Sequence, residues 1–456
     1  MAVPNRKGKG PPFFLSFAGP TRVRPWLLAT LVVLLGLLIG GCGALGLGGS
    51  AASARPPVPP RVAYSAEDGH VYIVPLGGGD ARRVSQIGGQ VPGETVGREA
   101  PVPRWPTWSP DAGRLAFTRI LISSGDDLVA SQLWTVAFDG SDPRKIWEAP
   151  DQEPIYFAWS PDGSLIALLV QGEDDLDLVL VDASGSQPPR RLAEGNPFYF
   201  AWAPDSKALL LHIGSTDGGA SKPELAVARL GPPDEVRSLG IVPGDFRTPG
   251  WTSDGRKLAF VAGGPDGVST ISLVSPEGGD ITRLANLAGQ AAFMLHPDGG
   301  RLAWSSRNDN ARPTYDGLEV VSTDGRKRTR VTDEQVMAFY WSPDGRHLAV
   351  VTIDEANQAL AWQVADAEGN NLRRLGTFTP TTLQFRVLAF FDQYAISDGT
   401  WAPDSSALMY AIGLPGDQRS FGPSGPGTIQ ALPTEPNTRA RTVVGGNFVA
   451  MPVPAP

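Results

Sequence analysis

The sequence has a single cysteine, Cys42, and only four histidines scattered over 456 residues. One thiol cannot build an internal disulfide framework, and no Cys/His zinc site of ordinary spacing can be assembled from this set. No stretch shows a convincing helical period of apolar residues. Also missing are a Gly-x-Ser-x-Gly elbow, a phosphate-binding Gly-x-x-x-x-Gly-Lys loop, a His-Glu-x-x-His pair and a Gly-x-Gly-x-x-Gly turn after a strand. These absences remove the commonest hydrolase, nucleotide-binding and metalloprotease readings, and no catalytic residue, metal or cofactor is expected. Turn residues, by contrast, are plentiful. The 54 Gly and 43 Pro make about one residue in five, which suits many short strands joined by tight turns.

Acidic residues are absent from positions 1–41, which carry Arg6, Lys7, Lys9, Arg22 and Arg24. A basic region, the apolar run Trp26–Ile39 and then Gly40-Gly41-Cys42 read as a targeting segment outside the fold. Small residues before a lone cysteine, with an aliphatic residue three positions ahead, resemble the bacterial lipobox. The resemblance implies that Cys42 receives a diacylglyceryl group and becomes the mature N-terminus. Extended to about Gly49, the same apolar run is long enough to cross a bilayer, so a single uncleaved N-terminal anchor is the alternative. In both arrangements the positive flank stays inside and the rest of the chain lies outside the cytoplasm. Residues 42–60 form a Gly/Ala/Ser/Pro tether ahead of a domain at 61–456. Losing the five basic residues takes the net charge from −8 to −13. So acidic an exterior repels phosphate backbones, and nucleic acid is not an expected partner.

One motif recurs seven times: Trp108-Ser109-Pro110-Asp111, Trp159-Ser160-Pro161-Asp162-Gly163, Trp202-Ala203-Pro204-Asp205, Trp251-Thr252-Ser253-Asp254-Gly255, Leu295-His296-Pro297-Asp298-Gly299, Trp341-Ser342-Pro343-Asp344-Gly345 and Trp401-Ala402-Pro403-Asp404. Successive aspartates lie 43–60 residues apart. Ser, Pro, Asp and Gly suit the four positions of a type I turn, and the carboxylate can accept backbone N–H groups and hold the corner shut. Asp111, Asp162, Asp205, Asp254, Asp298, Asp344 and Asp404 are therefore structural turn residues rather than a catalytic ring. After each turn comes an apolar strand such as Leu165-Ile166-Ala167-Leu168, then a second strand, an Asp/Gly turn and a basic closing strand such as Arg190-Arg191-Leu192. Four antiparallel strands per repeat of this length predict an all-β propeller blade.

The repeat resembles the WD-repeat-like units of TolB-type β-propellers, which also form the non-catalytic propeller of some serine peptidases. The likeness covers residues 61–456, with mild departures: Asp254 lacks the preceding proline, Leu295 replaces Trp, and Asp205 and Asp404 precede Ser. It implies that Trp-Ser-Pro ends the innermost strand of each blade. Residues 61–85 then supply three outer strands without an inner one, and 447–456 supply one strand with nothing after it. Together they predict an eighth blade, closed by pairing of the N- and C-terminal strands; seven blades is the alternative if a degenerate unit is only a loop.

Two functions remain open. The first is a membrane-tethered binding or scaffolding lipoprotein whose partner is an envelope protein or polymer. The second is an envelope enzyme acting on a sugar or peptide in the central pocket. All long insertions are expected on the face opposite the Asp turns: 86–104, 119–131, 214–222, 306–316, 377–400 and 413–427. The longest carries Phe378, Phe385, Phe390, Phe391 and Tyr394. Phe385, Phe390, Phe391 and Tyr394 are candidate docking residues, since aromatics concentrate in interface cores; the other reading is an extra strand or cap over the channel. The acidic run Glu173–Asp177 reads as a solvated connection rather than a calcium loop.

Overall fold

A computed structural model describes residues 60–85, 98–99, 105–125, 127–150, 152–172, 174–215, 222–244, 248–263, 268–287, 289–308, 312–414 and 426–453, all within a compact unit spanning Pro56–Pro456. The targeting segment, Cys42 and the tether lie outside the described residues. No helix among those described is long and apolar enough to cross a membrane.

The described strands make eight antiparallel blades. Blade 1 runs outward from Thr107–Trp108 through Arg114–Ile122, Leu128–Ala137 and Arg144–Ala149. Blades 2 and 3 share the long strand Arg190–Trp202, whose residues 190–195 close one blade and 196–202 open the next. Blade 4 starts at Gly250–Trp251. Blades 5 and 6 share Arg328–Trp341 in the same way. Blade 7 begins with the bridge of Trp401 to Leu408 and continues through Ala407–Gly413, Gly427–Pro433 and Arg441–Gly445. Blade 8 is the composite foreseen from the termini: Phe448–Ala450 pairs with Arg61–Ser65, followed by Val71–Pro75 and Arg82–Arg83.

Blade stacking explains the sequence pattern. An inner strand has a neighbouring blade against each face, so it is buried on both sides and reads as a continuous apolar run, as in Leu165–Gln171. An outermost strand meets water, and Glu235–Ile241 is correspondingly polar and largely exposed. The core is therefore a ring of separate interfaces. Ile146 and Trp147 of blade 1 pack on Phe157, Ile166 and Leu168 of blade 2, and Ala63 and Ile73 of blade 8 pack on Leu115 and Phe117 of blade 1.

Two expectations need correction. Residues 119–131 are not an irregular insertion: Arg114–Ile122 and Leu128–Ala137 continue the hairpin through most of them. The chain also has helices. Helix α1, Thr382–Ala389, and the single turn α2, Phe391–Tyr394, occupy the 377–400 segment. Thr381 caps α1 by accepting from the Gln384 N–H at 3.1 Å, and Leu383, Val387 and Phe391 are buried at four-residue spacing. A Thr-x-x-Gln start with that spacing is a helix signal. It is hidden by its shortness among aromatics that suit strands equally well.

A capped central funnel

The motif turns form as expected. Each Asp carboxylate accepts the backbone N–H two residues on, at 2.7–3.1 Å in all seven copies. Where the leading residue carries a hydroxyl, that hydroxyl donates to the same carboxylate, as Ser160 does to Asp162 at 2.6 Å. The residue after each Asp has a left-handed backbone: glycine in four copies, and Ala112, Ser206 and Ser405 in the others. At Gly345 there is a further constraint, because a Cβ would sit 2.7 Å from the His296 ring. The serines link neighbouring turns, Ser206 Oγ accepting from the Asp162 N–H and Ser405 Oγ from that of Asp344. His296 plays the same part for blade 5, its Nε2 lying 2.7 Å from the Gly345 carbonyl oxygen.

The tryptophan has a role that a reading of turn chemistry missed. Its indole N–H donates to a backbone carbonyl on the inner strand of the preceding blade. Trp159 bonds Thr107, Trp202 bonds Ala158, Trp251 bonds Ala201, Trp341 bonds Met294, Trp401 bonds Tyr340 and Trp108 bonds Ala450, all at 3.0–3.2 Å. Leu295 cannot do this and packs instead beside Gly250. In blade 8 the corresponding link is made by backbone, Gly399 pairing with Met451.

The tryptophans and motif prolines thereby wall a central cavity of about 390 Å³. One end is rimmed by Pro110, Pro161, Pro204, Pro297 and Pro343 of the turns, and the other is floored by the chain from Asp392 to Thr400. None of the seven turn aspartates lines it.

The 377–400 segment is a helical cap that makes this floor. Phe391 is buried against Phe339, Tyr340 and Tyr315, with centroids 4.6, 5.9 and 6.3 Å away. Tyr394 stacks on Trp105 at 5.4 Å and meets Tyr156 edge-on at 5.8 Å, while the Tyr156 hydroxyl donates to the Gln393 carbonyl at 3.0 Å. Of the four candidate docking aromatics, Phe391 and Tyr394 therefore hold the cap in place. Phe385 and Phe390 remain 42% and 48% exposed.

Asp398, which no sequence signal singled out, sits at the floor, 6% exposed. Its carboxylate accepts from the Ser397 hydroxyl at 2.8 Å and the Thr107 hydroxyl at 3.5 Å. Burial pushes this carboxyl up to about 7 against those two bonds, so near neutrality it can give a proton, take one, or face a cation. Of the histidines only His296 lines the cavity. No three His, Cys, Asp or Glu side chains come together to hold a metal among the described residues. In the acidic run, Asp177 pairs with Arg191 at 2.7 Å; Glu173 lies outside the described residues.

The class this geometry defines is an eight-bladed β-propeller with a capped central funnel. No family model matches the sequence, and neither does any curated protein. Solved structures do share the fold. A prolyl endopeptidase superposes with a TM-score of 0.51 at 15% identity, over 76% of this chain and 50% of that one. TolB from Acinetobacter baumannii is 19% identical with a TM-score of 0.37, over 59% of this chain and 62% of that one. An oligogalacturonate lyase from Vibrio parahaemolyticus is 13% identical with a TM-score of 0.47, over 72% and 84% of the two chains. The chain thus spans about half the length of the endopeptidase and less than two thirds of that TolB. The endopeptidase superposition, at 15% identity, speaks for the fold alone.

Proposed function

We propose that this chain is an extracytoplasmic binding module, tethered to the membrane through lipidated Cys42, that holds an envelope protein or polymer at its funnel. The observation that carries the reading is the funnel. It is a concave, largely apolar site of about 390 Å³, lined by the turn prolines at one end and by the cap at the other, with the size and lining usual for a ligand pocket. In this reading the ligand enters the funnel, whereas the sequence led to the expectation of docking on the insertion face. Ile396→Trp, which enlarges an exposed side chain on the funnel floor, should abolish capture of a partner from solubilised envelope while the protein melts normally. Undiminished capture by that variant would overturn the reading.

One observation favours the enzyme alternative. A carboxyl raised to about 7 at the base of a pocket, as Asp398 is, suits a general acid. Incubation with envelope saccharides and peptides, followed by mass spectrometry, separates the two. Products that Asp398→Asn no longer forms would establish an enzyme, and unchanged substrates would support binding.

A further inference from the structure

The funnel is one-sided in charge. Its described lining holds two carboxylates, Asp392 and Asp398, and neither lysine nor arginine. Elsewhere the fold matches its sheltered carboxylates with cations: Asp354 has Arg374, Asp177 has Arg191, and Glu319 has Arg330. Among the described residues Asp398 has only the hydroxyls of Ser397 and Thr107, and a buried carboxylate without a cation is expensive to keep ionised.

We propose that the funnel receives an organic ammonium group on an apolar body, with Asp398 as its counter-ion. The inference rests on reading the funnel as the ligand site, and it specifies what that site selects. The apolar tryptophan and proline wall suits the body of such a ligand, and the floor supplies the charge. A bare metal ion is a poor occupant, because divalent cations want six or more oxygens and the lining offers two carboxylates. The ammonium can arrive on a small amine or on the lysine side chain of a partner; the recognising chemistry is the same.

A pH signature follows. An ammonium binds the ionised carboxyl, so affinity should rise as pH increases through about 7 and level off above it. The other titratable groups around the floor are Asp392 of the cap, Tyr394, Tyr156 of blade 2 and Tyr340 of blade 6, while His296 of blade 5 lies among the turns at the rim. Burial raises all three tyrosine hydroxyls, that of Tyr394 to about 12, so they keep their protons across this range.

The test uses the full chain in detergent, with binding followed by calorimetry. The probes are benzylamine, benzyltrimethylammonium, Nα-acetyl-lysine amide, benzyl alcohol and benzoate. Benzylamine should bind about tenfold or more tighter than benzyl alcohol, and benzoate should not bind. The trimethylammonium and lysine arms report whether the site takes a bulky free cation or a side chain, and tight binding of either supports the inference. Asp398→Asn should cost the cations about tenfold, leave benzyl alcohol unchanged and flatten the pH profile. If benzyl alcohol binds as tightly as the amine, or Asp398→Asn changes nothing, while Ile396→Trp still blocks binding, the charge inference fails and the funnel reading stands. Absence of binding by every probe, or binding that survives Ile396→Trp, overturns both.

Discussion

The indole N–H of Trp108 donates to the carbonyl of Ala450 at 3.2 Å, joining residues 342 positions apart in the chain. It is the bond by which the first blade grips the last, and Ala450 is itself paired to Ala63 from the N-terminal side. Six such bonds, this one included, clasp the ring, each tryptophan reaching back one blade. Deleting Asn447–Pro456 should therefore do more than remove one short strand. It takes away the buried Phe448, Val449 and Met451 and opens the faces of two neighbours, at roughly 1.5–3 kcal/mol per buried side chain. A thermal melt within a degree or two of the intact protein would refute closure through the termini. Trp108→Phe is the milder version, expected to cost about 0.5–1.5 kcal/mol for the single lost bond.

The turn aspartates should act on stability and not on binding. Asp254 is held below the usual carboxylate range by the Thr252 hydroxyl, then by the Arg256 N–H. A lowered carboxyl stabilises the fold above its unfolded pKa of about 3.9, and that contribution disappears as pH falls through the folded value. Asp254→Ala should cost about 0.5–1.5 kcal/mol at neutral pH, with the gap to the native protein narrowing in acid. Loss of ligand capture by a variant that melts normally would mean that this aspartate has a functional role as well.

Asp398 should have the opposite pH dependence. Burial raises its carboxyl to about 7 in the folded protein, so the folded state keeps a proton that the unfolded chain releases near 3.9. Stability then declines as pH rises from about 4 to about 7, by up to about 1.4 kcal/mol per pH unit, and levels off beyond. Asp398→Asn should melt higher than the native protein at pH 8 and lose that advantage towards pH 4. Parallel melting profiles for the two proteins would show that the carboxyl titrates normally.

The aromatic residues of the cap divide into two pairs. Phe391→Ala removes a fully buried ring and should cost about 3–5 kcal/mol. Replacing the exposed Phe385 and Phe390 together by Ser should change stability by no more than about 0.5 kcal/mol each. If the cap also docks a partner, these two residues carry it, and capture should fall in the double Ser variant without any change in melting temperature.

Anchoring is tested apart from the fold. Cys42→Ala should abolish labelling by a radioactive fatty acid and leave the targeting segment uncleaved. A mature N-terminus at any residue other than Cys42 would sink the lipoprotein reading. Release from the membrane is a poorer measure, since an unprocessed apolar segment can itself anchor the chain.

Much of this architecture was legible in the chain because a repeat writes the same physics many times. The Ser-Pro-Asp-Gly turn is local chemistry, decided by residues within five positions of one another, so Asp162 and Asp344 could be assigned without a partner in view. The unmatched strands at 61–85 and 447–456 are a matter of counting, and blade 8 follows from it. The sequence could not disclose what happens between blades or on the axis. The tryptophan of each motif bonds a carbonyl some fifty residues back, or 342 residues ahead for Trp108, a distance that no local pattern encodes. Asp398 looks like any other loop aspartate until the cap folds under the ring and encloses it between Ser397 and Thr107. Its charge state is set by burial, and burial belongs to the closed ring as a whole, not to any segment of the chain.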